Sequence, residues 1–153
     1  MVKNYNGVQH NPSPTIVETA GPVIADVRNR IMKYDENGNV VLATAGTDIP
    51  VGIAIIEAGY NDISGVESGK VNTGERVDIL VKDMGVVLAG GTIKKGQEVT
   101  AGENGLAVAA ASGNYVLGFA LDNAESGEFL EVQISKYQKA GAASAQPENG
   151  ETV

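Results

Sequence analysis

An internal repeat is the feature that most limits how this chain can fold. Each copy has an Asn-Gly turn, a strand with a Gly-x-Ala motif, and a strand that begins with Gly-Glu. The three features occupy residues 36–43, 51–55 and 74–79 in the first copy, and residues 103–108, 117–121 and 127–132 in the second. Two copies are too few for a solenoid, so the repeat predicts two halves of one small closed β structure. Chance similarity between glycine-rich strands is the alternative interpretation.

The copies differ in the spacing between their second and third features. The first copy carries about thirteen additional residues there, so we assign residues 56–70 to an insertion at the surface. The strands themselves follow from alternation of apolar and polar residues, which is clearest at 76–82 and 129–135. Apolar runs are short and end at Gly, Asn or Asp within about ten residues. We therefore predict an all-β fold, a small Gly-rich antiparallel β-barrel or sandwich spanning residues 23–138.

Both ends of the chain differ in composition from this central region. Residues 1–22 contain three prolines and only two charged residues, Lys3 and Glu18, without a sustained periodicity. We predict an extended N-terminal arm there. Residues 139–153 are mostly Ala, Gly, Ser, Gln, Pro and Glu, which bury too little apolar surface to offset the entropy of ordering. We predict a flexible C-terminal tail.

Charge and residue content exclude several classes of function. The net charge of −8 leaves no basic surface for a phosphate backbone, so we expect no nucleic-acid partner. The sequence has no signal-like segment and no apolar run of the ~18 residues that span a membrane, so we expect no membrane partner and synthesis in the cytoplasm. The absence of Cys excludes disulfides and thiolate chemistry.

A search for catalytic and metal-binding motifs gives no candidate. The single histidine, His10, lies in the predicted arm without a second ligand nearby. A calcium loop that starts at Asp35 would need Gly at the position of Val40, and one that starts at Asp122 has Ala124 and Gln133 at ligand positions. No serine lies in a nucleophile elbow. The sequence therefore predicts a protein that is not an enzyme and that has no cofactor and no metal.

Three segments of the chain resemble a family of virus proteins. Residues 91–99, 116–124 and 127–134 are similar to the tailed-phage capsid cement, or head decoration, proteins, in a resemblance that covers about residues 22–137. The resemblance implies a small β-rich protein, commonly trimeric, on the outer surface of the virion. It also implies that the protein binds the major capsid protein and stabilises the shell by clamping adjacent subunits. The small side chains of Ala107–Ala111 are compatible with a homotrimer, because they allow close approach of backbones.

The predicted arm offers the candidate contacts with a capsid. Its apolar residues are too few to form a core, but an extended segment can add a strand to a partner's sheet. The candidates are Tyr5, Val8, Ile16 and Val17.

Two other functions remain open from the sequence. One is a head-fibre or adhesive module that binds host carbohydrate, for which Gly59-Tyr60-Asn61-Asp62 in the insertion offers an aromatic ring and polar groups. The other is a β-barrel enzyme or carrier, which is disfavoured because Lys82 lacks the flanking residues of a biotin or lipoate attachment site.

Overall fold

The computed structural model describes residues 13–55 and 68–141. These ranges contain ten strands and one short 3₁₀ helix, Glu103–Gly105. The strands are β1 (Thr15–Thr19), β2 (Ile31–Tyr34), β3 (Val40–Leu42), β4 (Gly52–Ala54), β5 (Arg76–Leu80), β6 (Met84–Leu88), β7 (Glu98–Ala101), β8 (Ala107–Ala109), β9 (Tyr115–Ala120) and β10 (Phe129–Gln138). The prediction of an all-β fold is confirmed.

The strands form two antiparallel five-stranded sheets with the same internal order. The first sheet runs β1-β5-β4-β2-β3 and the second runs β6-β10-β9-β7-β8, so each strand of one sheet has its counterpart five strands later. We call residues 13–81 the first half and residues 82–141 the second half. The internal repeat is thus a duplication of topology.

Isolated bridges outside the strands are also duplicated. A parallel bridge joins Ala20 to Val40 in the first half, and a parallel bridge joins Ala89 to Ala107 in the second. The antiparallel bridge between Ile24 and Val71 likewise has its counterpart between Ile93 and Ala124. Each sheet therefore curls until its two outer strands approach each other.

Equivalent positions of the two halves show where the first copy of the repeat is longer than the second. Gly52 and Val71 are 19 positions apart, whereas their counterparts Gly118 and Ala124 are only 6 apart. The first half therefore carries 13 additional residues between these points. The predicted insertion, 56–70, lies here, and residues 56–67 of it are outside the described residues.

The glycine of each Gly-x-Ala motif is required by a close approach of two strands. A Cβ at Gly52 would overlap the carbonyl oxygen of Leu80, and a Cβ at Gly118 would overlap that of Gln133. The glycine of each Gly-Glu motif has a different role, because Gly74 and Gly127 have φ angles of 84° and 88°. Only glycine adopts that conformation without strain.

Each half has its own apolar core. The first-half core consists of Ala20, Ile24, Val27, Met32, Val40, Val51, Ala54, Val71, Val77 and Ile79. Its second-half counterpart contains Val87, Ala89, Ile93, Val99, Ala101, Ala107, Leu117, Ala120, Ala124, Leu130, Val132 and Ile134. The second core also includes Ile31, Ala43 and Ile53 from the first half. These three side chains join the halves into one packed structure.

The ends of the domain differ from the sequence-based interpretation. Residues 15–19 are extended, but they form β1, an outer strand of the first sheet, and Ala20 is buried in the first core. The arm that was expected to reach residue 22 is therefore sheet from Thr15 onward, because β1 pairs with β5 about sixty residues later in the chain. Residues 1–12 lie outside the described residues.

Lys139, the first residue of the predicted tail, makes contacts with the second sheet. The backbone amide of Lys139 donates to the carbonyl of Asn114, and the Lys139 ammonium lies 3.1 Å from a carboxylate oxygen of Glu98. Lys139 is thereby attached to the second sheet. Residues 142–153 lie outside the described residues.

Candidate functional site

A groove of about 590 Å³ opens at the surface of the first half, beside β1. Its apolar walls come from Ile16, Ile49, Pro50, Val51 and Val81, and its polar walls come from Lys33, Tyr34, Thr47, Asp48 and Lys136. Lys136 belongs to β10, so both halves contribute to the groove. The mixture of apolar walls and a few fixed polar groups is typical of a binding surface.

An ion pair is held rigidly in the wall of the groove. The ammonium of Lys33 lies 2.8 Å from Oδ1 of Asp48, while Oδ2 accepts hydrogen bonds from the amide and hydroxyl of Thr44 and from the amide of Ala45. Burial by itself would raise the pKa of Asp48, but the bonds from Lys33 and Thr44 outweigh it and lower the pKa to about 2. The carboxylate is therefore charged throughout the neutral range and fixes the 44–48 loop.

Two further polar groups line or border the groove. The Nζ of Lys136 donates to the carbonyl of Val51 at 2.7 Å, and burial lowers the pKa of this lysine. The hydroxyl of Tyr34 donates to Oε1 of Glu18 in β1 at 2.8 Å. Burial and the Glu18 bond both raise the pKa of Tyr34. These bonds hold the walls of the groove in place.

Of the four candidate contact residues, the structure describes two. Ile16 lines the groove, whereas the side chain of Val17 lies on the opposite face of β1 and is 49% exposed. Tyr5 and Val8 lie outside the described residues.

The backbone of β1 has a free edge. Pro14 accepts a bond from Val81, and Ala20 donates to Glu75, so the even-numbered residues of β1 face β5. In an antiparallel pair the intervening residues point their N–H and C=O groups away. The outward groups are those of Thr15, Val17 and Thr19. Because β1 ends the sheet, its outer edge has no neighbouring strand within the described residues until Ala20, which forms a parallel bridge with Val40 of β3.

The equivalent edge in the second half is covered. Leu88 of β6 donates its amide to the carbonyl of Asn29, and the side-chain amide of Asn29 donates to the carbonyl of Val86. Asn29 has a φ angle of 56°, which its short polar side chain tolerates. A loop of the first half thus covers the edge of β6 at Val86 and Leu88, whereas nothing in residues 13–55 and 68–141 covers the edge of β1 at Val17.

The second sheet has an exposed apolar patch that the sequence analysis did not identify. It consists of Met84, Val86, Phe119 and Phe129. Phe119 lies beside Glu98, whose carboxylate accepts hydrogen bonds from Tyr137 and Lys139 that lower its pKa. The sequence gives no signal for this patch, because Phe119 and the buried Ile53 are both apolar and occupy equivalent positions of the repeat.

The described residues show no feature of a metal or membrane site. Residues 13–55 and 68–141 hold no group of three or more His, Asp and Glu side chains placed to bind a metal ion. Within the same ranges no helix has the length and apolar content needed to cross a bilayer. His10 lies outside the described residues.

Comparisons with known proteins were made for both the sequence and the fold of the chain. No curated protein matches the chain in sequence. A solved structure, the head fiber gp8.5 N base of bacteriophage phi29, is similar in fold, with a TM-score of 0.58. That match has 24% identity and covers 79% of this chain and 92% of the phage protein.

The sequence comparison extends over most of the chain. The model of the XM1 gp53 minor capsid protein family matches residues 1–134. This match confirms the expectation of a capsid-associated phage protein with a structural rather than an enzymatic role. The chain belongs to the XM1 gp53 minor capsid protein family.

Proposed function

We propose that this protein binds the outer surface of a phage capsid and stabilises it by clamping adjacent major capsid subunits, as a homotrimer. The observation that carries the capsid contact is the free edge of β1. Of two equivalent edges in the duplicated fold, that of β6 is bonded to Asn29, whereas that of β1 has no partner at Val17 among the described residues. Synthesis in the host cytoplasm, before addition to the shell, is part of this proposal.

The contact we propose is the addition of a capsid strand to β1. An unpaired edge presents a row of backbone donors and acceptors that a partner strand can satisfy. Val17 supplies both an outward amide and an exposed apolar side chain, while Tyr5 and Val8 precede it in the sequence as further candidates. Backbone bonds are only weakly affected by ionic strength, so we expect capsid binding to show little salt dependence.

The edge can be tested by removing one outward amide. Val17→Pro deletes an N–H that does not point toward β5, and proline is tolerated on an edge strand. Its matched control is Val86→Pro, which makes the same change at the equivalent position of β6. Both are compared with the wild type by co-sedimentation with undecorated capsids at low and high salt.

We expect Val17→Pro to weaken capsid binding at least ten-fold and Val86→Pro to leave it unchanged. Removal of residues 1–12, which leaves β1 intact, separately tests Tyr5 and Val8. If the Val17 and Val86 variants bind equally well, the capsid contact lies elsewhere. Thermal melts of both variants check that the sheet is preserved.

Self-association as a trimer is supported by the position of the alanine-rich strand. Ala107–Ala109 form β8, which ends the second sheet. Ala107 is buried and bridges to Ala89, whereas Ala109 is exposed at this edge, where its small side chain permits close approach of a second backbone. Native mass spectrometry would detect a trimer of the 15.8 kDa chain.

A host carbohydrate is the ligand in the alternative proposal, in which the chain is a head-fibre or adhesive module. The phi29 protein of similar fold is the base of a head fiber. The residues suggested for sugar binding, 59–62, lie outside the described residues. A glycan array with the full chain would separate this function from capsid binding alone.

A further inference from the structure

A row of cross-strand neighbours occurs at equivalent positions in both sheets, but it is buried in the first half and exposed in the second. In the first sheet, Ile31 pairs across the strands with Ile53, and Ile53 pairs with Leu80. Ile31 and Ile53 are buried in the second-half core, and Leu80 packs against it. A Cβ placed on Gly85 of β6 would lie 3.2 Å from Cδ1 of Ile53. This face of the first sheet is therefore covered by the second half.

The same face of the second sheet is open. Its row has identical register, since Glu98 pairs with Phe119 and Phe119 pairs with Gln133. Phe119 occupies the place of Ile53, yet its side chain is 39% exposed. Met84, which pairs with Gln133, is exposed beside it. The patch is an apolar surface without a partner among the described residues.

The surface of the second half that packs against the Ile31–Ile53–Leu80 row, called here the receiving surface, also has an equivalent in the first half. In the second half it includes Gly85 and Gly105, and a Cβ on Gly105 would lie 2.8 Å from the carbonyl oxygen of Ile31. Their first-half equivalents are Ile16 and Gly38. Gly38 has nothing within 4 Å of such a Cβ, and Ile16 lines the 590 Å³ groove. The receiving surface of the first half thus has no counterpart of this contact among the described residues.

We propose that the Phe119 row (Glu98, Phe119 and Gln133) of one copy docks into the groove lined by Ile16 of a second copy. This contact between chains would repeat the contact that joins the two halves within a chain. This inference rests on the proposed self-association and names its surfaces. A contact between two different surfaces is heterologous, and a closed ring with three-fold symmetry requires such a contact. The duplication supplies one patch and one groove on every copy.

The composition of both surfaces fits a contact that forms after folding. In the row, Ile31 of the first half is replaced by Glu98 at the equivalent position of the second half. On the receiving surface, Val87 and Ala101 of the second half are replaced by Glu18 and Tyr34 in the first half. More polar surfaces are typical of interfaces between chains that are soluble before they assemble. Phe119 is then an aromatic side chain surrounded by polar groups, an arrangement that is typical of the centre of such an interface.

The docking leaves the edge of β1 available to a capsid at Val17. Within the chain, Asn29 binds the edge of β6 twice, through its carbonyl to Leu88 and through its side-chain amide to Val86. The equivalent position in the second half is Gly96, which has the carbonyl but no side-chain amide. The copy that docks can therefore bond to Thr19, the counterpart of Leu88, but lacks the bond that would cover Val17, the counterpart of Val86. Self-association and strand addition are compatible on one molecule.

Engineered cysteines provide the test, because the chain has none of its own. The full chain with Phe119→Cys and Ile16→Cys is treated with a short bis-maleimide. The matched control combines Ile16→Cys with Phe129→Cys, since Phe129 is also exposed but its counterpart, Arg76, is exposed rather than covered by the second half. Each single variant is treated in the same way. Ile49→Cys, on an exposed groove residue, replaces Ile16→Cys if that variant fails to fold.

We expect covalent multimers up to the trimer from the Phe119 and Ile16 pair, and none beyond background from the Phe129 pair or the single variants. Crosslinking of Phe119→Cys alone would indicate a symmetric contact and overturn the inference. A native trimer without these crosslinks would overturn the surfaces while leaving self-association intact. A chain that is monomeric at every concentration yet binds capsids would overturn the inference but not the capsid role.

Discussion

Replacing Gly118 with alanine should destabilise the fold more than any ordinary glycine-to-alanine change. The new Cβ would overlap the carbonyl oxygen of Gln133 and lie 2.8 Å from its carbonyl carbon and 3.0 Å from Cα of Ile134. Favourable contacts between carbon atoms are about 3.5–4.0 Å. All three atoms belong to the backbone of β10, which is paired on both sides and cannot move aside locally.

Overpacking in a well-packed interior typically costs about 1–3 kcal/mol, and a clash with fixed backbone lies at the upper end. We therefore expect about 3 kcal/mol for Gly118→Ala, which corresponds to a fall in Tm of roughly 6–12 °C for a chain of this size. Gly91→Ala is the matched control, because a Cβ there meets nothing within 4 Å and its φ is not positive. It should be neutral or stabilise by up to about 1 kcal/mol.

Urea unfolding measures both variants against the wild type, with the slope of the transition checking that the extent of unfolding is unchanged. Gly52→Ala should behave like Gly118→Ala, because its Cβ would meet the carbonyl of Leu80. If Gly118→Ala lies within about 1 kcal/mol of Gly91→Ala, the close approach of these strands is not what requires glycine in the repeat.

Three further predictions concern charge, the C-terminus and the contact between halves. Because the pKa of Asp48 is lowered to about 2, its stabilisation is present above about pH 4 and lost as the pH falls through about 2. Asp48→Asn, which removes the partner of Lys33, should cost about 1–2 kcal/mol at pH 7, and urea unfolding at decreasing pH should show the difference shrinking below about pH 4 and disappearing below about pH 2. Removal of residues 142–153 should leave the thermal melt superimposable on the wild type, and a loss of several degrees would show that these residues pack. Ile53→Ala should lower the free energy of unfolding by about 2–5 kcal/mol, measured with urea. Phe119→Ala, at the equivalent position, should lower it by under about 1 kcal/mol where the chain is monomeric. Equal losses would contradict the unequal burial of the two side chains.

The strands and the duplication could be predicted from the sequence because both produce local patterns of residue types. Alternation placed Val77, Ile79, Leu130 and Val132 on buried faces, and all four are fully buried. The Asn-Gly turn at residue 38 was likewise identified from residue types that tolerate a positive φ, and Gly38 has a φ of 80°. Such signals depend only on neighbours along the chain.

The contact between halves and the end of the arm were not accessible in this way. Burial of Ile31 and Ile53 in the core of the other half depends on how two sheets pack, which no local pattern specifies. Thr15–Thr19 contain few apolar residues and follow two prolines, so their pairing with β5 was hidden by a separation of about sixty residues. For the same reason the groove that Ile16 lines was not predicted.

A tandem duplication joined by a contact between unlike surfaces always leaves one copy of each surface unused. A single chain cannot satisfy both, so each leftover surface must become soluble or find a partner. Glu98, Glu18 and Tyr34 show the first response, because polar groups stand where the joined halves have apolar ones. Phe119 is suited to the second, because an aromatic side chain exposed on a sheet face would be removed from water by a partner that covers it. The coexistence of both responses on one chain is what a protein requires if it is to stay soluble alone and assemble on a capsid.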